Sequence, residues 1–209
     1  MTDKNLSNRQ KQAISTKKKI FDTTARLIEE FPFEKITIRM LCKEAGVSVG
    51  TFYLYFKSKQ HILSEMYREA DKVFMEIDIT SRKDLNSLEK IKELIRIKVI
   101  QALNIDIKIL REIYASYIYF DSEYLFSEDG YFLKALNTIV VDGQRNKEII
   151  EDIPSEEVAR KIYKLVRGEA FDWLVQDGGH DLEKAITEEI SFYLRLFSTF
   201  KGDSADRKE

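Results

Sequence analysis

Apolar residues along this chain recur at intervals of three and four rather than two, the rhythm of helices that bury one face. Lys17, Lys18 and Lys19 open the first such stretch, Ile20, Leu27, Ile28 and Phe31 form its apolar face, and Pro32 closes it. Residues 1–16 are polar without a sustained apolar face and read as a disordered arm. Ile62, Leu63, Met66, Tyr67, Ala70, Val73, Phe74 and Ile77 predict one long helix from a Ser58 cap to near Thr80. Three more are expected over 87–103, 106–120 and 130–144, the last closed by Asn146 as a left-handed cap. Ser155, followed by Glu156 and Glu157 in the first turn that the helix dipole favours, is expected to cap an eighth helix. The run DGGHD at 177–181 reads as a glycine stop and an Asp181 cap rather than a metal site. A ninth helix with Leu182, Ile186, Ile190, Leu194 and Phe197 on its apolar face follows. The pattern is that of an all-α chain of about nine helices.

The most informative stretch is TIRMLCKEAGVSVGTFYLYFKSK, residues 37–59. Thr37 caps a short helix whose face is Ile38, Leu41, Cys42 and Ala45. Gly46 ends it, because glycine adopts the left-handed conformation without a steric cost, and Ser48 caps a second helix to about Tyr55. Helices joined through Gly46-Val47-Ser48 alone must cross steeply and touch near the turn. Cys42 and Ala45 are small enough to permit this, and Val47, Phe52 and Phe56 are the apolar plugs. The other face of the second helix, Ser48, Val49, Gly50, Thr51, Tyr53 and Tyr55, is rich in hydroxyls and free of acidic residues, so it can lie against a polyanion.

Charge sharpens that reading. Beneath a net charge of -2, residues 1–59 hold 12 Lys and Arg against 6 Asp and Glu, leaving 22 against 30 for residues 60–209. A basic head on an acidic body points to nucleic acid at the head, against the alternative of ordinary solvated lysines. Lysines at 17–19 oppose the helix dipole, which calls for an anionic partner nearby.

The run AGVSVGTFYLYFKSK resembles the signature of the TetR family of bacterial transcriptional regulators, joining turn, recognition helix and the start of the next helix in one order. The likeness covers residues 14–74 well and the remainder in general pattern, with Lys147 standing where the family commonly has glycine. It implies a helix-turn-helix DNA-binding domain at 17–60, with its motif at 37–56, and a helical regulatory and dimerisation domain at 61–209. It also implies a cytoplasmic homodimer on a palindromic double-stranded operator, in most cases a repressor released by a small-molecule effector. Thr37, Tyr53, Tyr55 and Lys59 are then expected to grip phosphates, and Ser48, Val49, Gly50 and Thr51 to approach base edges.

Other chemistry is thinly represented. Cys42 is the single cysteine and His61 and His180 the only histidines, so neither a disulfide framework nor a metal cage is expected, and no cofactor. GxxxxGK and GxGxxG are absent, which disfavours an enzyme. No apolar run of membrane-spanning length is present. Aromatic residues crowd 114–132, and they read either as core or as the wall of an effector cavity holding Tyr114, Tyr117, Phe120 and Tyr124, bordered by Trp173. If they are core, the chain is a DNA-binding regulator or adaptor without a ligand. The last two helices carry more apolar surface than one subunit needs, so Val166, Leu174, Ile186, Ile190, Leu194 and Phe197 are expected at a four-helix dimer seam.

Overall fold

Ser7 and Gln10 set the beginning of the first helix. In the computed structural model, which describes residues 7–119 and 130–199, the Ser7 hydroxyl accepts from the Gln10 N–H while the Gln10 side chain accepts from the Ser7 N–H. This reciprocal cap starts α1 (Asn8–Glu30) well ahead of Lys17, so residues 8–16 are helical rather than part of a disordered arm. A single 3-10 turn, Phe33–Lys35, leads to α2 (Ile38–Ala45) and α3 (Val49–Tyr55).

The next helix, α4 (Lys59–Asp71), ends earlier than its apolar pattern predicts, with one further turn at Val73–Glu76. The cause is tertiary. Gln101 donates its side-chain amide to the Ala70 carbonyl, taking up a helix-end acceptor, and the Asp71 carboxylate is buried and engaged elsewhere. The remaining elements are α5 (Ser87–Leu103), α6 (Ile107–Tyr119), α7 (Tyr131–Arg145), α8 (Ser155–Val175) and α9 (Leu182–Leu194). Two caps differ from expectation. Asn146 is right-handed and Lys147 takes the left-handed position at φ 60°. Ser155 is the first residue inside α8, after Pro154, and makes no capping bond.

Among the described residues, 7–69 with 108–119 form one compact unit, and 70–107 with 130–199 form a second. In the second, α5 packs on α7 and α9, and α8 packs on the same two, which closes a four-helix ring. Its centre holds Ile91, Leu94 and Val99 from α5, Phe132, Leu136 and Val140 from α7, and Val158 and Ile162 from α8. Gly143 is where α7 comes closest to its surroundings, since a Cβ there would lie 2.6 Å from Ile149 and 2.9 Å from Ser87.

The same ring overturns the expected dimer seam. Val166, Leu174, Ile186, Ile190, Leu194 and Phe197 are all at most 5% exposed within a single chain. Ile186 and Ile190 share a cleft with Ile95 and Val99 of α5, and Phe197 lies beside the antiparallel bridge between Ile149 and Ser198, its carbonyl accepting from the Ile150 N–H. These residues close the subunit's own core. Among the described residues, the large apolar side chains left outside on this part of the chain are Phe171, Val175, Phe192 and Leu196, 46–66% exposed.

One buried polar group organises three elements of this unit. Asp71 is 2% exposed, its Oδ1 lies 3.1 Å from Lys98 Nζ, and its Oδ2 accepts from the Tyr131 N–H (2.7 Å) and the Phe132 N–H (3.3 Å). It therefore caps α7 from a distance, where Gly130 has no side chain to do so. The Lys98 ammonium lies 5.1 Å and 5.5 Å from the Phe74 and Phe132 ring centroids.

Candidate nucleic-acid interface

Two hydroxyl caps and one glycine build the turn. Thr37 Oγ1 accepts from the Met40 N–H at 3.2 Å and starts α2. Gly46, at φ 66° and ψ 36°, ends it in the left-handed conformation, with the Val47 N–H returning to the Cys42 carbonyl. Ser48 Oγ then accepts from the Thr51 N–H at 2.9 Å and lies 2.8 Å from Thr51 Oγ1. Inside, Leu41, Cys42, Phe52 and Phe56 are buried with Ile20 of α1 and Ile62 and Leu63 of α4. Burial pushes the Cys42 thiol up, away from thiolate reactivity.

With Phe52 and Phe56 turned inward, α3 presents Val49 (41% exposed), Gly50, Tyr53 (56%) and Leu54 (79%) outward, while Thr51 and Tyr55 are half-buried. Thr37 and Ser48 are exposed, with hydroxyls committed to their caps. Leu54 was not singled out by sequence reasoning. The signal was there: with Phe52 and Phe56 marking one face, helical spacing puts Gly50 and Leu54 opposite it.

Lys59 corrects an expectation. Its ammonium donates to the carbonyls of Phe33 (2.7 Å), Glu34 (2.9 Å) and Ile36 (2.9 Å), and lies 4.8 Å from the Phe33 ring centroid. An ammonium has three N–H donors, so these bonds use all of them and leave none for a phosphate. Burial lowers its pKa, with Glu34 and Glu112 opposing. Lys59 thus ties the approach to α2 onto the start of α4. Glu112 of α6 shares with Phe33, Glu34, Lys59 and Ser116 a cleft of about 210 Å³, where burial and the Glu34 charge raise its pKa.

The lysine run also finds internal partners. Lys17 pairs with Glu65 at 3.0 Å and Lys18 with Asp22 at 2.8 Å, while Lys19 is exposed. Burial would raise Glu65, but the hydrogen bond and charge of Lys17, joined by Arg68 and His61, bring it below its ordinary value. His61 closes the turn after α3, its Nδ1 accepting from the Lys57 N–H at 3.1 Å, with the ring against Phe56. Burial lowers its pKa against the pull of Glu65, which keeps the accepting form at neutral pH.

A short capped helix, a glycine turn and a second helix sealed by two phenylalanines form a helix-turn-helix. The sequence model of the family described as bacterial regulatory proteins, tetR family, matches residues 20–66, the span holding this motif. The chain belongs to the TetR family. It is a DNA-binding transcriptional regulator. A likeness to known proteins extends beyond the head: the fatty acid metabolism regulator protein of Bacillus subtilis (strain 168) is 24% identical over 170 residues, 78% of this chain and 86% of that one. Thermus thermophilus FadR, solved with lauroyl-CoA, superposes at TM-score 0.64 with 20% identity, covering 86% of this chain and 92% of that one. Bacillus subtilis FadR, solved with stearoyl-CoA, gives 0.57 with 22% identity, covering 85% and 96%.

Of the residues expected at an effector cavity, Tyr114 is half-buried on α6 and Tyr117 lies on the same helix. Phe120, Tyr124 and the side chain of Tyr117 lie outside the described residues. Trp173 is 8% exposed and serves the α8–α9 turn, its indole N–H donating to the His180 carbonyl at 3.1 Å and its ring lying against Gly178. Among the described residues no cluster of His, Cys, Asp and Glu could hold a metal, and no helix is long and apolar enough to cross a membrane.

Proposed function

We propose that the protein is a homodimeric repressor, holding a palindromic operator with one α3 in each of two successive major grooves about 34 Å apart, and that an acyl-CoA releases it. The outward face of α3 carries the reading. Val49, Gly50, Thr51 and Leu54 are free of acidic groups and stand where bases would be met, while Tyr53, Tyr55 and Thr37 flank them to position the backbone of the duplex. Phe171, Val175, Phe192 and Leu196 support the dimer, since a second copy would remove from water an apolar surface that this chain leaves uncovered. The acyl-CoA class is supported by the relatives, two of which were solved with lauroyl-CoA and stearoyl-CoA.

The test is release from a selected operator. Duplexes enriched from a random library should be released by lauroyl-CoA or stearoyl-CoA and not by CoA alone. A hundredfold loss of affinity corresponds to about 2.7 kcal/mol of coupling between the two sites. Operator binding that no acyl-CoA alters would remove the effector from this proposal and leave the DNA-binding reading in place.

A further inference from the structure

The side chains that read bases through paired hydrogen bonds are absent from α3. Guanine is recognised chiefly by Arg or Lys, adenine by Asn or Gln, and cytosine by Asp or Glu. The helix VGTFYLY contains none of these six residue types. The small hydroxyl groups at its start are drawn into its own cap, because Ser48 Oγ takes the Thr51 N–H and lies 2.8 Å from Thr51 Oγ1, which leaves one of their two hydroxyl hydrogens to donate outward. Exposed cations flank the helix at Arg39 and Lys57, outside α3 itself.

What α3 presents instead is apolar. Leu54 is 79% exposed, more than any other large apolar residue described, and Val49 is 41% exposed. An exposed leucine alone is unremarkable in a soluble protein, but this one shares its helical face with Gly50, one turn earlier. Among the described residues nothing calls for glycine there. Its φ is not positive, and a Cβ would meet only Ser48 Oγ, at an ordinary 3.7 Å. Glycine weakens a helix relative to alanine, so its use on an open outward face is best matched to a surface that comes close to the backbone from outside.

From these observations, and resting on the reading of α3 as the groove-entering helix, we infer that α3 recognises thymine C5-methyl groups. Leu54 seats against one methyl, Val49 extends the apolar contact, and Gly50 lets the backbone approach the base edges. Thymine is the one base that offers an apolar group in the major groove, so it is the natural match for a helix with apolar side chains and no paired-hydrogen-bond reader. The half-site beneath α3 is therefore an A·T-containing sequence with thymine methyls on the side facing the helix.

The experiment uses the full chain and sites selected from random duplex DNA. Each thymine of the enriched half-site is replaced in turn by deoxyuridine, which removes the methyl and leaves every hydrogen-bonding edge intact. At one or two positions the replacement should weaken binding about fourfold, the worth of one buried methyl. Leu54→Ala should bind the unmodified site more weakly and lose the deoxyuridine effect at one of those positions. Its melting temperature should match the parent, since Leu54 supports no core. Enriched half-sites without thymine, deoxyuridine tolerated throughout, or an undiminished deoxyuridine effect in Leu54→Ala would each overturn the inference while DNA binding stands. A chain that enriches no site and binds no duplex would instead overturn the DNA-binding reading beneath it.

Discussion

An ammonium group has three hydrogens, and Lys59 spends all of them on the carbonyls of Phe33, Glu34 and Ile36. Lys59→Met keeps the apolar stem and removes the donors, so chemical denaturation should show a loss of about 1–3 kcal/mol. The salt dependence of DNA binding should keep its slope; a slope lower by about one would return this side chain to the phosphates. Position in the sequence, directly after the recognition helix, could not separate these roles, because either use needs only a cation at the start of α4. His61 gives a second prediction at this scale. Its folded-state pKa is lowered, so the stability it contributes is complete above the ordinary histidine value and is lost as pH falls through the folded one. Below that point Nδ1 is protonated and no longer accepts the Lys57 N–H. Thermal denaturation should therefore lose stability between neutral and mildly acidic pH, and His61→Gln should lose less over the same interval. Equal losses in the two proteins would place the titration elsewhere.

Asp71 shows how a single side chain can decide where helices stop and start. The apolar pattern carries α4 towards Thr80, yet the helix ends at Asp71, whose carboxylate meets Lys98 and the first N–H groups of α7. Asp71→Ala would leave the Lys98 ammonium without that carboxylate and α7 without its remote cap, at a cost of about 3–5 kcal/mol. Asp71→Asn keeps an acceptor for α7 and should fall between the two, as read from urea midpoints at equal m-values. Equal stability of Asp71→Ala and the parent would show that the network contributes nothing net. Elements whose ends are set locally were legible from sequence: Thr37, Gly46 and Ser48 cap and turn as their residue types dictate. The start of α1 is local too, but the capping box of Ser7 and Gln10 lies in a stretch with no apolar periodicity, so no apolar face marks it.

For the whole molecule, the question is which apolar face closes the core and which is left to solvent. Ile190 is 1% exposed in the ring of α5, α7, α8 and α9, so Ile190→Glu should unfold or severely destabilise the chain, seen as a collapsed melting transition. Phe192 is 64% exposed two residues along the same helix. Phe192→Glu should melt near the parent temperature, sediment as a monomer and bind the operator more weakly, because one head then lacks its second half-site. A variant that remains dimeric with operator affinity intact would place the interface on another surface.

The sequence by itself determined what depends on neighbours along the chain. Helical periodicity, the glycine turn and the hydroxyl caps define the helix-turn-helix, and a recognition helix without charged or amide side chains is written in VGTFYLY. The tertiary structure alone decided what depends on distant partners. Helices α8 and α9 carry apolar residues on more than one face, and periodicity cannot tell the face that closes the subunit core from the face left to solvent. In the same way Lys17, Lys18 and Lys59 read as free cations until the fold brings Glu65, Asp22 and three backbone carbonyls to them. Pattern records which side chains need a partner, and only the packed chain supplies it.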